Sequence, residues 1–148
     1  MTPAGEVKRA AADVVAAFSR HDPEAYFAKF SPNATFIFHG TPEFLCSRRE
    51  YEELWDSWEK EGFRVLGCTS RDGAVQMLSD DVGVFFHVVR TTLADGDKSI
   101  ETGERETIVF QRIDGHWLGV HEHLSIDPAF RVTGRKHSAA TELLTERN

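Results

Sequence analysis

At 148 residues and 16.7 kDa, the chain has the length of one domain, since domains cluster at roughly 100–150 residues. Its 17 Lys and Arg stand against 24 Asp and Glu, a formal charge of −7 that repels polyanions and argues against nucleic acid or an anionic membrane as partner. No apolar stretch approaches the roughly 20 residues of a membrane span, the longest, Val82 to Val89, being interrupted by Gly83 and His87.

Hydrophobic residues make up 41% of the chain, with three Trp, two Tyr and eleven Phe, enough to fill an interior without a disulfide or metal staple. The opening Met1–Glu6 has neither the basic nor the apolar region of a signal peptide. A soluble, cytoplasmic protein is expected, with Cys46 and Cys68 as reduced structural thiols.

In chain order, Thr2-Pro3 is a cap followed by a first-turn proline, and Ala11, Val14, Val15 and Phe18 form the apolar stripe of a first helix. Asp22-Pro23 repeats the start signal for a shorter helix with Tyr26, Phe27 and Phe30 on its buried face, expected to end at Ser31-Pro32. Ala34 to His39 suits a strand, which Gly40-Thr41-Pro42 breaks. Ser47 and Glu50 have the spacing of a capping box, and Tyr51, Leu54, Trp55 and Trp58 follow at helical intervals up to Gly62. From Phe63 onward, four antiparallel strands are punctuated at Ser79-Asp80-Asp81, Asp95-Gly96 and Asp114-Gly115. Residues 1–130 read as a single domain and 131–148 as a polar tail. Helices followed by a meander imply an α+β fold with helices on one face of a curved sheet. Because Val82 to Val89 is apolar at both parities, the other face needs a cover as well, and a second copy of the chain is the simplest one.

No GxGxxG, P-loop, GxSxG or CxxC motif occurs, so no cofactor is expected. On the last strand, alternation puts Trp117, Gly119, His121, His123 and Ser125 on one face and Leu118, Val120, Glu122 and Leu124 on the other. The preceding strand sets Arg105, Thr107, Val109 and Gln111 against Glu104, Glu106, Ile108 and Phe110. Arg90 accompanies Phe86, Val88 and Thr92 on the strand before. His121 and His123 have three readings: hydrogen-bonded structural imidazoles, pocket groups that move a proton or contact an anion, or metal ligands joined by His39 or His87. Neither third ligand has a diagnostic spacing, and no metal is expected. Arg90 and Arg105 either pair with Glu104, Glu106 or Glu122 or hold a ligand anion. Tyr51, Trp55, Trp58, Phe36 and Phe38 are either core or the walls of a ligand cage.

The run from Gly103 to Ser125, with Arg105-x-Thr107-x-Val109, Asp114-Gly115-x-Trp117 and His121-x-His123-x-Ser125, resembles the last hairpin of SnoaL-like proteins in the nuclear transport factor 2-like superfamily. His21-Asp22, Tyr26, Phe30, Asn33-Ala34-Thr35 and Gly40 resemble the same family's second helix and first strand. The likeness implies a cone: a strongly bent mixed or antiparallel sheet wrapped around N-terminal helices, open at one end to an apolar pocket and dimeric through the outer sheet face. It places Phe36, Phe38, Trp55, Trp58, Phe86, Arg90, Arg105, His121 and His123 in or near that pocket. The chain is also similar to the association domain of calcium/calmodulin-dependent kinase, although that module's pocket arginine falls at Ile108. Where the steroid isomerase pattern has a catalytic aspartate this chain has Phe38, and Phe18 replaces its helical tyrosine.

Together these features point to a homodimer that binds a small organic molecule, anions included. If it is an enzyme, His123 or His121 would shuttle a proton while Arg105 and Arg90 stabilise an enolate or carboxylate, as in isomerases, dehydratases and cyclases of this fold. Phe36, Phe38, Trp55, Trp58, Phe86 and Arg90 would contact the ligand. The alternative is a non-catalytic ligand-binding or dimerisation module of the kinase association-domain type.

Overall fold

A computed structural model describes residues 1–130; the tail expected over 131–148 lies outside the described residues. In chain order the elements are α1 (Pro3–Ser19), α2 (Pro23–Phe27), β1 (Phe30–Phe38), α3 (Arg48–Lys60), β2 (Phe63–Ser79), β3 (Val82–Asp95), β4 (Lys98–Ile113) and β5 (His116–Ile126). Each helix starts where a side chain satisfies an orphan N–H. Thr2 Oγ1 accepts from Gly5 at 3.0 Å, Asp22 Oδ1 from Ala25 at 3.1 Å, and Ser47 Oγ from Glu50 at 3.1 Å. The capping box is shifted by one residue at its return bond, with Glu50 Oε1 accepting from the N–H of Cys46 rather than Ser47.

The five strands form one mixed sheet in the order β1-β5-β4-β3-β2. β2 to β5 are the expected antiparallel meander, whereas β1 lies parallel to β5 at the sheet edge. The second helix stops at Phe27, and the strand begins earlier than expected, at Phe30, with Ser31-Pro32 inside it. An edge strand tolerates that proline because it has one unpaired side. Asp114 and Gly115 both have positive φ, 50° and 81°, the geometry of a two-residue turn whose twist matches the strands it joins. The Gly96 N–H donates to Gly62 O at 3.1 Å, so two glycine turns clamp the end of α3 to the β3–β4 hairpin.

Register shifts interrupt β2 at three places and β5 once, between the pairs Val109/His121 and Phe110/Gly119. The last of these leaves Val120 as an extra residue, a β-bulge that bends the strand and resets its alternation. The curved inner face receives α1 through Val7, Ala11, Val14 and Ala17, and α3 through Tyr51, Trp55 and Trp58, all buried. Among the described residues the outer face has no such cover: Phe86 is 46% exposed, and Val84 and Val88 are half-buried. Among the described residues, no helix is long and apolar enough to cross a membrane.

Candidate functional site

Between the helices and the inner sheet face lies a cavity of about 60 Å³, measured as space for the centres of water molecules. Since one water needs about 10–15 Å³ on that measure, it holds several waters or one small ligand. Phe18 of α1, Tyr26 of α2, Phe38 of β1, Tyr51, Trp55 and Trp58 of α3 and Phe63 of β2 supply an aromatic wall. Neighbouring rings meet mostly edge to face, with centroids 4.8 Å apart for Phe27–Tyr51 and 5.0 Å for both Phe38–Tyr51 and Trp55–Phe63. Trp55 is held by its indole N–H, which donates to Glu59 Oε2 at 2.9 Å. The same oxygen accepts from His21 Nε2 at 2.7 Å, and His21 Nδ1 in turn accepts from the Val65 N–H at 2.9 Å. Among the described residues the buried Trp58 indole N–H has no hydrogen-bond partner.

The floor is acidic. Thr102, Glu104 and Glu106 of β4 and Glu122 of β5 point inward with Cys68 and Thr91, and among the described residues no Lys, Arg or His lines the cavity. Glu106 and Glu122 are hydrogen-bonded to each other. Glu106 Oε1 also accepts from His87 Nε2 at 2.6 Å, and His87 Nδ1 lies 2.6 Å from Ser70 Oγ. Tyr26 O–H donates to Glu122 Oε1 at 3.5 Å and lies 3.0 Å from Tyr51 Oη. Beside this chain, His39 Nε2 lies 2.6 Å from Glu104 Oε2. Neither His39 nor His87 lines the cavity; both hold the carboxylates from behind the wall.

Two buried carboxyls in hydrogen-bond contact do not both ionise, because each charge raises the cost of the other. Burial, followed by the charge of Glu106, pushes Glu122 well above the usual carboxylate range. Burial acts on Glu106 in the same sense, but the hydrogen bonds from Glu122 and His87 and the His87 charge outweigh it and hold Glu106 below its ordinary value. The arrangement is therefore one carboxylate, Glu106, receiving a hydrogen bond from one carboxylic acid, Glu122. Burial and the neighbouring Glu122 likewise keep Tyr26 and Tyr51 protonated. Burial also lifts the Cys68 thiol to about 11.

Phe38, Trp55 and Trp58 stand in the wall as expected, and Phe36 is fully buried in the core without reaching the lining. The other placements are corrected. Arg105, His121 and His123 lie on the outer face, where β4 and β5 pair Arg105 with Ser125, Thr107 with His123 and Val109 with His121. For the two histidines the bulge at Val120 is the reason: Trp117 and Gly119 face the interior, so counting from them by twos carries His121 and His123 to the wrong side, whereas Arg105 has the parity opposite to the fully buried Ile108 and Phe110. His121 Nδ1 lies 2.8 Å from Thr35 Oγ1, and burial, with His123 next to it, lowers its pKa. Phe86 and Arg90 belong to the outer parity of β3. Arg90 pairs with Asp127 at 2.9 Å, and its guanidinium lies 4.8 Å from the Phe130 ring centroid. Glu104, Glu106 and Glu122, expected as possible partners of the arginines, build the floor and pair instead with His39, His87 and each other. The inward parity of β4 is signalled by Phe110, its one aromatic residue, which shares a face with Ile108; both are fully buried. Among the described residues, no group of three or more His, Cys, Asp or Glu is arranged to hold a metal ion.

Similarity to known proteins agrees with this architecture. The sequence pattern of the SnoaL-like domain matches residues 7–129. A Xanthomonas campestris protein proposed to be a calcium/calmodulin dependent protein kinase II association domain is 24% identical, with a TM-score of 0.71 over 84% of this chain and 88% of its own. An NTF2-like protein from Cytophaga hutchinsonii gives 12% identity and a TM-score of 0.73 over 86% of this chain and 100% of its own. A ketosteroid isomerase-like protein from Erwinia carotovora gives 18% and 0.70 over 83% and 95%. At these identities the structures establish a shared fold, and that fold hosts many chemistries. A search of curated proteins finds no match. With a family pattern spanning most of its length and the curved-sheet cone beneath it, the chain belongs to the SnoaL-like domain family and has the NTF2-like fold.

Proposed function

We propose that the protein binds a small organic molecule in the aromatic cavity and transfers a proton on it by means of its own carboxyl groups. The observation that carries this reading is the Glu106–Glu122 pair, two buried, hydrogen-bonded carboxyl groups on the cavity floor that their surroundings push in opposite directions. Two titratable groups pushed in opposite directions by one site divide the labour of acid and base. Glu106 takes a proton from carbon next to a carbonyl, becoming a carboxylic acid. The electron pair released from that C–H bond moves onto the carbonyl oxygen, which receives the proton or hydrogen bond of Glu122. Return of a proton to a second carbon completes an isomerisation, and loss of a β-hydroxyl as water completes a dehydration. His87, itself held by Ser70, keeps the Glu106 carboxylate aimed.

The test is hydrogen–deuterium exchange in D₂O, followed by NMR, on a panel of small enolisable carbonyl compounds with catalytic amounts of protein. Exchange at the α-carbon is expected with wild type and is expected to fall at least about 100-fold in Glu106→Gln, the scale of general-base catalysis. Compounds that bind the cavity yet exchange no faster than in buffer would defeat the reading and leave a ligand-binding module.

The outer face favours a second copy of the chain as its cover. Exposed Phe86, flanked by half-buried Val84, Val88 and Val109, forms an apolar strip on a sheet face that the helices leave open. Light scattering at micromolar concentration is expected to give twice the chain mass, and a monomer there would remove the proposal.

A further inference from the structure

We infer that Ser70 is the nucleophile of a second site, one that hydrolyses small carboxylic esters in the groove between α1 and β2. This site lies outside the cavity wall and is independent of the proton transfer proposed inside. Ser70 Oγ lies 2.6 Å from His87 Nδ1, and His87 Nε2 lies 2.6 Å from Glu106 Oε1. A hydroxyl, an imidazole and a carboxylate in that order form the relay that turns serine into a nucleophile, and such a relay is defined by geometry rather than by sequence position. Here its members come from three neighbouring strands, β2, β3 and β4. A carboxylate only accepts, so the Nε2 facing Glu106 carries the ring proton and leaves Nδ1 to take the one on Ser70.

The surroundings of Ser70 supply the other parts. Between the pairs Arg71/Val88 and Ala74/Phe86, β2 sets Asp72 and Gly73 against the single residue His87, with Asp72 at φ 58°; such a bulge re-aims the side chains beside it. Two residues before Ser70, the Cys68 N–H donates to Ser19 Oγ of α1 at 3.0 Å, off the sheet edge that β2 forms. The register is unbroken from Cys68 to Ser70, so alternation turns the Ser70 N–H off the same edge, free of the β3 ladder. The nucleophile's own N–H is then available to the oxygen of a tetrahedral intermediate. Room for an ester exists because α1 lines the groove with Ala11, Ala12, Val15 and Ala16, none larger than valine, leaving about 470 Å³ on the measure given for the cavity. Ser70 is exposed there, while the His87 side chain behind it is fully buried. Attack of Oγ on the ester carbonyl carbon passes the hydroxyl proton to Nδ1 and an electron pair to the carbonyl oxygen. Collapse breaks the bond to the alcohol, which leaves with the proton from Nδ1. Water then gives a proton to Nδ1 and its hydroxyl to the acyl carbon, and the carboxylic acid departs as Oγ recovers the proton.

The probe is the nitrophenyl ester of butyric acid, incubated with the full chain and followed by nitrophenolate release and by mass spectrometry of the digested protein. Wild type is expected to show a burst, an acyl group on the peptide that contains Ser70, and continued hydrolysis. Ser70→Ala, at an exposed position, is expected to keep its Tm and to lose at least about 100-fold in rate. His87→Gln is expected to lose as much while Ser70 itself remains. Because that substitution also alters a buried partner of Glu106, wild type unfolded in urea is the second control, and there Ser70 is expected to acylate no faster than the other serines. An unchanged rate in Ser70→Ala overturns the inference, as does acylation of lysine or cysteine in place of Ser70. Equal labelling of Ser70 in urea overturns it too, and so does an acyl group that water never removes.

Discussion

Replacing Glu122 by glutamine should make the protein more stable at neutral pH, although the residue lies at the centre of a buried hydrogen-bond chain. Glutamine has the shape of the protonated acid: its NH₂ donates to Glu106 as the carboxylic acid does, and its carbonyl accepts from Tyr26 O–H. What it lacks is the proton linkage. Because burial and Glu106 raise the Glu122 pKa in the folded state, the native protein keeps a proton that the unfolded chain releases above about pH 4.3. Wild type therefore loses stability as pH rises from that point to the folded pKa, at up to about 1.4 kcal/mol per pH unit. Glu122→Gln has no such slope. Urea denaturation at pH 4, 5, 6 and 7 isolates the effect, since contributions from the other groups, including the opposite slope from the lowered His121, largely cancel in the difference between the two proteins. The gap should be small at pH 4 and should widen by up to about 1.4 kcal/mol in the variant's favour between pH 5 and 6. Glu106→Gln should behave oppositely. The lowered Glu106 contributes stability above its unfolded pKa that is lost as pH falls through the folded one. Removing its charge-assisted bonds should cost about 1.5–3 kcal/mol at neutral pH and less in acid. Parallel pH curves for wild type and Glu122→Gln, or a gain from Glu106→Gln in place of Glu122→Gln, would refute the assignment of the proton.

Other perturbations follow from close contacts and exposure. A thiol-exchange reagent at pH 8 should titrate exposed Cys46 quickly and Cys68 slowly, because burial lifts the latter to about 11; two equally fast thiols would mean that the cavity wall opens. Gly119→Ala sets a methyl 2.7 Å from Cδ1 of the fully buried Phe30, so calorimetry should register a loss of about 1–3 kcal/mol. Gly103→Ala sets a methyl against the Phe130 ring, and that ring can leave the surface. Chymotrypsin should therefore cut after Phe130 faster in the variant while urea stability changes by less than about 1 kcal/mol.

The fold was legible because its punctuation is local. Thr2, Asp22 and Ser47 begin helices, Gly62 ends one, and Asp114-Gly115 makes a hairpin, each by chemistry confined to a few neighbouring residues. The aromatic wall was legible for the same reason, since Tyr51, Trp55 and Trp58 recur at helical spacing. On β5 the floor was misread because strand alternation is counted rather than recognised, and the one bulged residue reverses the assignments of His121, Glu122 and His123 after it. Val120 carries no mark of its bulge in the sequence. The safer guide was local again: Ile108 and Phe110 had to be inside, Glu104 and Glu106 share their parity, and Glu122 pairs with Ile108. Polar residues attract attention as sites, yet large apolar ones orient the strand on which the site stands.

Ser70 gives the cavity a handle on the far side of its own wall. The hydroxyl is exposed in a groove beside α1, lined also by Ala12, Ala16 and Gly73, and it touches His87, whose other nitrogen touches Glu106. Two hydrogen bonds of 2.6 Å thus span the distance from solvent to the carboxylate on the floor. The basicity of Glu106 is consequently adjustable from a surface that no ligand in the cavity occupies. Variation at position 70 can change how His87 holds the Glu106 carboxylate while the shape and lining of the cone stay the same.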